Sequence, residues 1–161
     1  MSQIVTLVTL ISKKFEYNHD TVRLHTLGPY SKITDITDGP SSNADLHLKE
    51  GGDQYFTIGL TWLLNYLLHL AVHICTKLNE TSEEISAFRY TLYFMCRIIE
   101  HEIGGASIKY DPGRMEEWTE ACNNLLKFLK WMINQCSKLS IKKCQEVLQQ
   151  EINTYNSTAF G

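Results

Sequence analysis

The longest apolar run in the chain, residues 55–75, constrains the fold more than any other feature. A membrane-spanning helix needs about 20 mostly apolar residues, and this run has that length. Polar residues interrupt it at regular intervals, among them Thr61, Asn65, His69 and His73. These polar groups favour a helix that is buried in the core of a folded protein, which we predict over residues 55–78.

Residues 3–17 predict a first helix on the N-terminal side of this run. Their apolar side chains recur at steps of four, three and four, at Ile4, Val8, Ile11 and Phe15. The many β-branched residues would also suit a strand, but strict alternation is absent. The next stretch, residues 18–43, contains two Gly-Pro pairs and predicts a surface loop, in which a short strand over residues 21–27 remains open.

Start and stop signals predict further helices. A short one is expected over residues 46–55, and a capping box at residues 81–84 precedes a helix that is apolar nearly all round. This central helix is expected to end at Gly104-Gly105. Asp111-Pro112 has the N-cap and first-turn proline of the next helix, and Ser140 is expected to open a last one. Six or so helices around a central apolar helical hairpin predict an all-α globular bundle.

The composition agrees with one folded domain. The 161 residues are 43% hydrophobic and 20% charged, which suits a single domain over residues 1–161. A net charge of -3 without a dense basic run predicts no nucleic-acid partner. Five cysteines without Cys-x-x-Cys spacing indicate reduced thiols in a cytoplasmic protein, and the polar C-terminus predicts no integral membrane anchor.

Signatures of catalysis are absent from the sequence. It contains no nucleophile elbow, P-loop or dinucleotide fingerprint, so we predict that the protein is not an enzyme and needs no cofactor or metal. One alternative is a helical metal-binding protein, because His69 and His73 are spaced like metal ligands on a helix and Glu100 could be a third ligand. The Glu that a zinc protease has after its first His is Leu70 here.

Short motifs resemble those of the B-cell-lymphoma family of apoptosis regulators, in the family's order. The segment that begins with Leu48 and contains Gly52-Asp53 before two aromatics resembles its third homology motif. Phe88-Arg89 stands where its first motif has Asn-Trp-Gly-Arg. Three other segments are similar to its fourth motif, sixth helix and second motif: residues 4–15, 114–118 and 129–135.

The resemblance implies an all-α bundle with an apolar groove for the amphipathic helix of a pro-apoptotic family member. Arg89 would pair with an aspartate of that helix, because its planar guanidinium can donate two hydrogen bonds to a carboxylate. The other groove residues implied in this way would fit a closed core equally well: Tyr55, Phe56, Leu63, Leu67, Ile85, Phe88 and Leu92.

The first functional hypothesis is therefore a pro-survival inhibitor of apoptosis that sequesters such helices. It would be cytoplasmic and recruited to mitochondria through its partners. Phe88 replaces the family's glycine and would narrow the groove, and this divergence together with the missing anchor is typical of viral members. The alternative within the same fold is a virulence factor that blocks innate immune signalling through a surface patch or a homodimer.

Overall fold

A computed structural model describes residues 1–37, 42–47, 54–78 and 98–159, with side chains as far as residue 154. In chain order its elements are α1 (Ser2–Lys14), β1 (Val22–His25), β2 (Lys32–Asp35), β3 (Ser42–Asp45), α2 (Gln54–Leu78), β4 (Ile98–Ile99), β5 (Glu102–Ile103), β6 (Ala106–Ser107) and α3 (Met115–Ala159). Short 3₁₀ turns at Gly28–Tyr30 and Pro112–Arg114 precede β2 and α3.

The prediction of an all-α bundle is wrong, because the described residues form two antiparallel sheets besides three helices. The first sheet has the order β1-β2-β3. Its β1 lies where a short strand over residues 21–27 had been left open, whereas β2 and the start of β3 lie where the loop over residues 18–43 was predicted. Its strands have four residues each, too few for an alternating pattern to be seen in the sequence. Thr34 joins all three strands, since its hydroxyl donates to Asn43 Oδ1 at 2.6 Å and lies 2.9 Å from His25 Nε2.

The second sheet, of order β4-β5-β6, corrects the prediction of a central helix that runs to Ile103. Gly104 and Gly105 have φ angles of 63° and 81°, so they form the turn between β5 and β6 and do not end a helix. The earlier part of that helix and its capping box, residues 81–97, lie outside the described residues, as do residues 48–53 of the predicted short helix.

The helices with long apolar stripes were predicted correctly. The first matches α1, the buried run matches α2, and the Asp111 carboxylate accepts a hydrogen bond from the backbone N–H of Gly113 at 2.8 Å just before α3. A separate helix from Ser140 is wrong, because α3 is continuous. Ser140 donates its hydroxyl hydrogen to the carbonyl O of Cys136 inside α3 at 3.1 Å, so it does not cap a new helix.

The core lies where α2 packs between α1, α3 and the first sheet. By length and composition α2 could cross a membrane, but 56% of its most apolar window is buried within the protein, as expected of a core helix. Gly59 allows α2 to approach β3, because a Cβ atom there would lie 2.5 Å from the carbonyl O of Asp45. Buried side chains on the facing helices complete the core, among them Val8, Phe15, Leu125, Phe128 and Met132.

The C-terminal end of α1 closes in a Schellman arrangement. The backbone N–H of Tyr17 donates to the carbonyl O of Ser12 at 2.8 Å, and that of Glu16 donates to Lys13 at 3.1 Å. Glu16 therefore adopts a φ of 57°, a conformation that normally favours glycine. Its carboxylate accepts a hydrogen bond from Lys77 Nζ at 2.5 Å, which ties the end of α1 to the end of α2.

Candidate interaction surface

The structure describes four of the residues predicted to bind a partner, and three of these four are buried. Phe56, Leu63 and Leu67 are buried in the core, whereas Tyr55 is 63% exposed at the start of α2. The other predicted residues lie outside the described ranges: Ile85, Phe88, Arg89 and Leu92, and the motif residues Leu48, Gly52 and Asp53. Their role in binding a partner remains a prediction.

The alternative metal site is not assembled among the described residues. His73 Nε2 lies 2.9 Å from the carbonyl O of Phe15, and the ring of His69 packs against the ring of His19 at a centroid distance of 5.0 Å. Glu100 belongs to the hairpin turn between β4 and β5. Within residues 1–37, 42–47, 54–78 and 98–159, no three His, Cys, Asp or Glu side chains are placed to hold a metal ion.

The described surface instead contains a groove of about 650 Å³ between α2 and the β4–β5 hairpin, here called the α2–hairpin groove. One wall is the exposed face of α2, from Thr57 to Leu68, and the other is formed by Ile98, Glu100, His101 and Lys109. Both walls of the groove combine apolar and polar side chains. This combination is typical of a surface that binds an apolar side chain and orients its backbone or charges.

Four side chains form the apolar part of the α2–hairpin groove: Ile58, Trp62, Leu68 and Ile98. Ile58 and Trp62 are partly buried and pack on the core, so their positions are set by the fold, while Leu68 is exposed. A partly buried tryptophan beside an exposed leucine offers a large contact area at little cost in side-chain entropy.

The hairpin side of the groove carries both charge signs. Glu100 and His101 form its turn, with His101 Nδ1 3.8 Å from Glu100 Oε2, and Lys109 follows β6. Glu100 adopts a φ of 49°, which costs a non-glycine residue free energy. The backbone N–H of Ile108 donates to the carbonyl O of His101 at 2.8 Å and fixes the turn beside the groove.

The sequence did not indicate this groove, although its residues were visible as parts of other patterns. Thr61 and Asn65 stood out as polar interruptions of an apolar helix, and they line the groove wall. Glu100 was considered as a metal ligand, within a helix that was predicted to end at Gly104. The missing signal was the hairpin, because without it residues 98–109 are not expected to face α2.

A second cluster of titratable side chains surrounds His19, which is 7% exposed. Its Nδ1 accepts hydrogen bonds from the backbone N–H groups of Thr21 and Val22, each at 3.2 Å, so the neutral ring carries its proton on Nε2. Its ring stacks on Tyr66 at a centroid distance of 5.4 Å. Burial, followed by the nearby His69, lowers the pKa of His19, and burial raises the pKa of the neighbouring Tyr17 to about 12.

A comparison with known protein families identifies the family of this chain. Residues 1–138 match the Apg6 BARA domain. The chain belongs to the Apg6 BARA family. This family, also known as the Beclin family, acts in autophagy. No curated protein matches the chain significantly.

The Apg6 match corrects the resemblance drawn from short motifs. The matched family is not the B-cell-lymphoma family, although it belongs to a related context of apoptosis and autophagy, and it gives no support to a viral origin. The motifs that suggested the resemblance, none longer than twelve residues, are too short to separate two largely helical families. The match ends at residue 138, whereas α3 continues to Ala159.

Proposed function

We propose that this protein is a non-catalytic interaction module of the autophagy machinery, which acts in the cytoplasm and binds a partner protein in the α2–hairpin groove. The observation that carries the proposal is the Apg6 BARA match, which extends over residues 1–138 and so includes both walls of the groove. Both walls are therefore parts of the family domain.

The chemistry of the groove supports an apolar segment of a protein as the occupant. Trp62 and Leu68 would contact its apolar side chains, which gain free energy when they leave water. Lys109 and Glu100 lie at the hairpin side, where they would meet polar or charged groups of the same segment. Charges at the rim of an interface mainly select and orient the partner and contribute less to affinity.

Affinity purification from cells tests the proposal with a matched pair of substitutions. Leu68→Glu places a charge in the groove, and Leu10→Glu makes the same change on the exposed face of α1, away from the groove. The wild-type chain and Leu10→Glu are expected to recover the same autophagy proteins, and Leu68→Glu is expected to lose them. Equal recovery with both variants, or a set without autophagy proteins, would contradict the proposal. Circular dichroism checks that each variant is folded.

A pro-survival activity is the second candidate, favoured by the shared context of apoptosis and autophagy in which the family stands. The all-α bundle on which this candidate was based is not the observed fold. Its central residue, Arg89, lies outside the described part of the chain. Calorimetric titration with pro-apoptotic helix peptides separates the two candidates. Binding that is lost in Arg89→Ala would favour the pro-survival activity, and no binding to any peptide would remove it.

A further inference from the structure

The two edge strands of the second sheet differ in how their backbone groups are paired. The order β4-β5-β6 makes β4 and β6 the edge strands. On the outer side of β6, the backbone N–H of Ser107 donates to Glu117 Oε1 at 3.2 Å. A side chain of α3 therefore closes this edge, which keeps another strand from pairing with it.

The outer side of β4 is not closed in this way by any residue that the structure describes. Ile99 pairs with Glu102 beside the turn of the β4–β5 hairpin, and Ile98 pairs with Ile103 one position further on. In an antiparallel hairpin with a two-residue turn, the pair beside the turn exchanges both of its hydrogen bonds and the next pair exchanges none. The backbone N–H and C=O of Ile98 therefore point away from β5.

This open edge belongs to the α2–hairpin groove. Ile98 lines one wall, and the exposed side-chain amide of Asn65 lines the other without a hydrogen bond to a described residue. An extended chain carries N–H and C=O groups on both of its sides, whereas a helix pairs these groups internally. The two walls thus offer hydrogen-bonding partners to both sides of an extended segment.

The charges of the groove indicate what such a segment carries. Glu100 Oε2 lies 3.8 Å from His101 Nδ1, so a basic group already stands beside this carboxylate. Lys109 is exposed, and no acidic side chain among the described residues pairs with it. An occupant with an acidic side chain would complement this lysine, and complementary charges select and orient a partner.

We propose that the occupant of the α2–hairpin groove is an extended segment of a partner protein that adds to the sheet as a strand beside β4. Its backbone bonds to Ile98, an acidic side chain pairs with Lys109, and an apolar side chain packs on Trp62. In strand addition the backbone hydrogen bonds supply affinity and the side chains supply specificity. The inference rests on the proposed function and specifies the partner of the same groove.

Selection from a library of displayed linear peptides tests the proposal on the full chain. Peptides of about seven residues have the length of an ordinary strand, and only those that Leu68→Glu fails to bind are kept. The kept peptides are expected to contain an acidic residue, and Lys109→Glu is expected to weaken them at least about tenfold. The control Lys130→Glu, at an exposed position of α3 outside the groove, should change binding less than about twofold. Equal effects of the two variants, or no peptide that depends on Leu68, would overturn the proposal.

Amide hydrogen exchange distinguishes strand addition from other modes of binding. In the free protein the Ile98 amide should exchange rapidly, and a saturating kept peptide should slow it at least about tenfold. The Ile99 amide, which faces β5, is the internal reference. Slow exchange of Ile98 in the free protein would show that its own chain or a second copy covers the edge, and would overturn the proposal. An unchanged rate with bound peptide would overturn it too, while recovery of autophagy proteins by the wild-type chain would still support the proposed function.

Discussion

The imidazole rings of His19 and His69 lie 5.0 Å apart, and one is buried while the other is exposed at the surface of α2. His19 Nδ1 accepts two backbone hydrogen bonds at the corner between α1 and β1. A proton on Nδ1 would break both bonds and place a positive charge in a buried site beside His69 and Arg23, an effect that Asp20 and Asp35 offset in part. The fold therefore holds His19 in its neutral form.

This arrangement predicts that the protein loses stability in mild acid. The folded-state pKa of His19 is lowered below its ordinary value of 6.5, so the unfolded chain binds the proton more readily. The stabilisation is complete above about pH 6.5 and is lost as the pH falls from there through the lowered pKa. Urea unfolding at about pH 7.5 and about pH 5.5 measures the change.

His19→Asn is the variant that checks this origin of the pH dependence. This variant should be less stable than the wild type at neutral pH. Its free energy of unfolding should fall less than that of the wild type between about pH 7.5 and about pH 5.5. Thr76→Ala, at an exposed position of α2, replaces a residue that does not titrate; it is the control and should keep the wild-type pH dependence. If the free energy of unfolding of His19→Asn depends on pH as that of the wild type does, the acid sensitivity belongs to other groups.

A buried hydrogen bond between Ser12 and Tyr66 predicts the cost of removing one hydroxyl group. The Ser12 hydroxyl donates to the carbonyl O of Val8 at 2.9 Å, so the Tyr66 hydroxyl must donate to Ser12 Oγ, also at 2.9 Å. Tyr66→Phe is expected to lower the free energy of unfolding by about 1 kcal/mol, the usual net value of such a bond. Tyr55→Phe, which alters an exposed ring, should change it little. Equal unfolding midpoints in urea would contradict the assignment.

Replacing Glu16 with glycine is expected to stabilise the protein. Its φ of 57° costs a non-glycine residue about 1–2 kcal/mol, whereas its ion pair with Lys77 is exposed to solvent and contributes little to stability. Glu16→Gly should raise the thermal midpoint, and Lys77→Ala, which removes the ion pair alone, should lower it slightly. A lower midpoint for Glu16→Gly than for Lys77→Ala would show that the ion pair outweighs the strain.

The close contact between Gly59 and β3 predicts a large effect from one methyl group. A Cβ atom at Gly59 would meet the carbonyl O of Asp45 at 2.5 Å and Leu46 Cδ2 at 3.2 Å, so α2 would have to move away from the sheet. Gly59→Ala is expected to destabilise the protein by about 1–3 kcal/mol, as overpacking does in other cores. Thr76→Ala, at an exposed position of the same helix, is the control. Similar urea midpoints for the two variants would contradict this packing.

The sequence was sufficient for the long helices and insufficient for the sheets. The stripes of α1, α2 and α3 repeat over many turns, so their period could be identified, whereas β4, β5 and β6 have two residues each. Ile98 and Ile103 fall within a helix that was predicted from a nearly continuous apolar pattern, but they pair across β4 and β5. Tertiary contacts, and not local pattern, decide between helix and strand over such short segments.

The sequence predicted even less of the candidate site than of the fold. Leu63 and Leu67 were expected in a groove, but a groove wall and a core face have the same apolar pattern, and the structure buries both residues. The α2–hairpin groove joins Trp62 to Lys109, and these residues come together only through the second sheet. The family match supplied the functional context that neither the short motifs nor the composition could give.

Photo-crosslinking in cells tests the central claim, that the α2–hairpin groove binds a protein of the autophagy machinery. A benzophenone amino acid replaces Asn65, which lines the groove, or Leu10, which is exposed on α1. We predict a covalent adduct with an autophagy protein from position 65 and none from position 10. An adduct only with residues 79–97 of the same chain, or none from position 65, would contradict it.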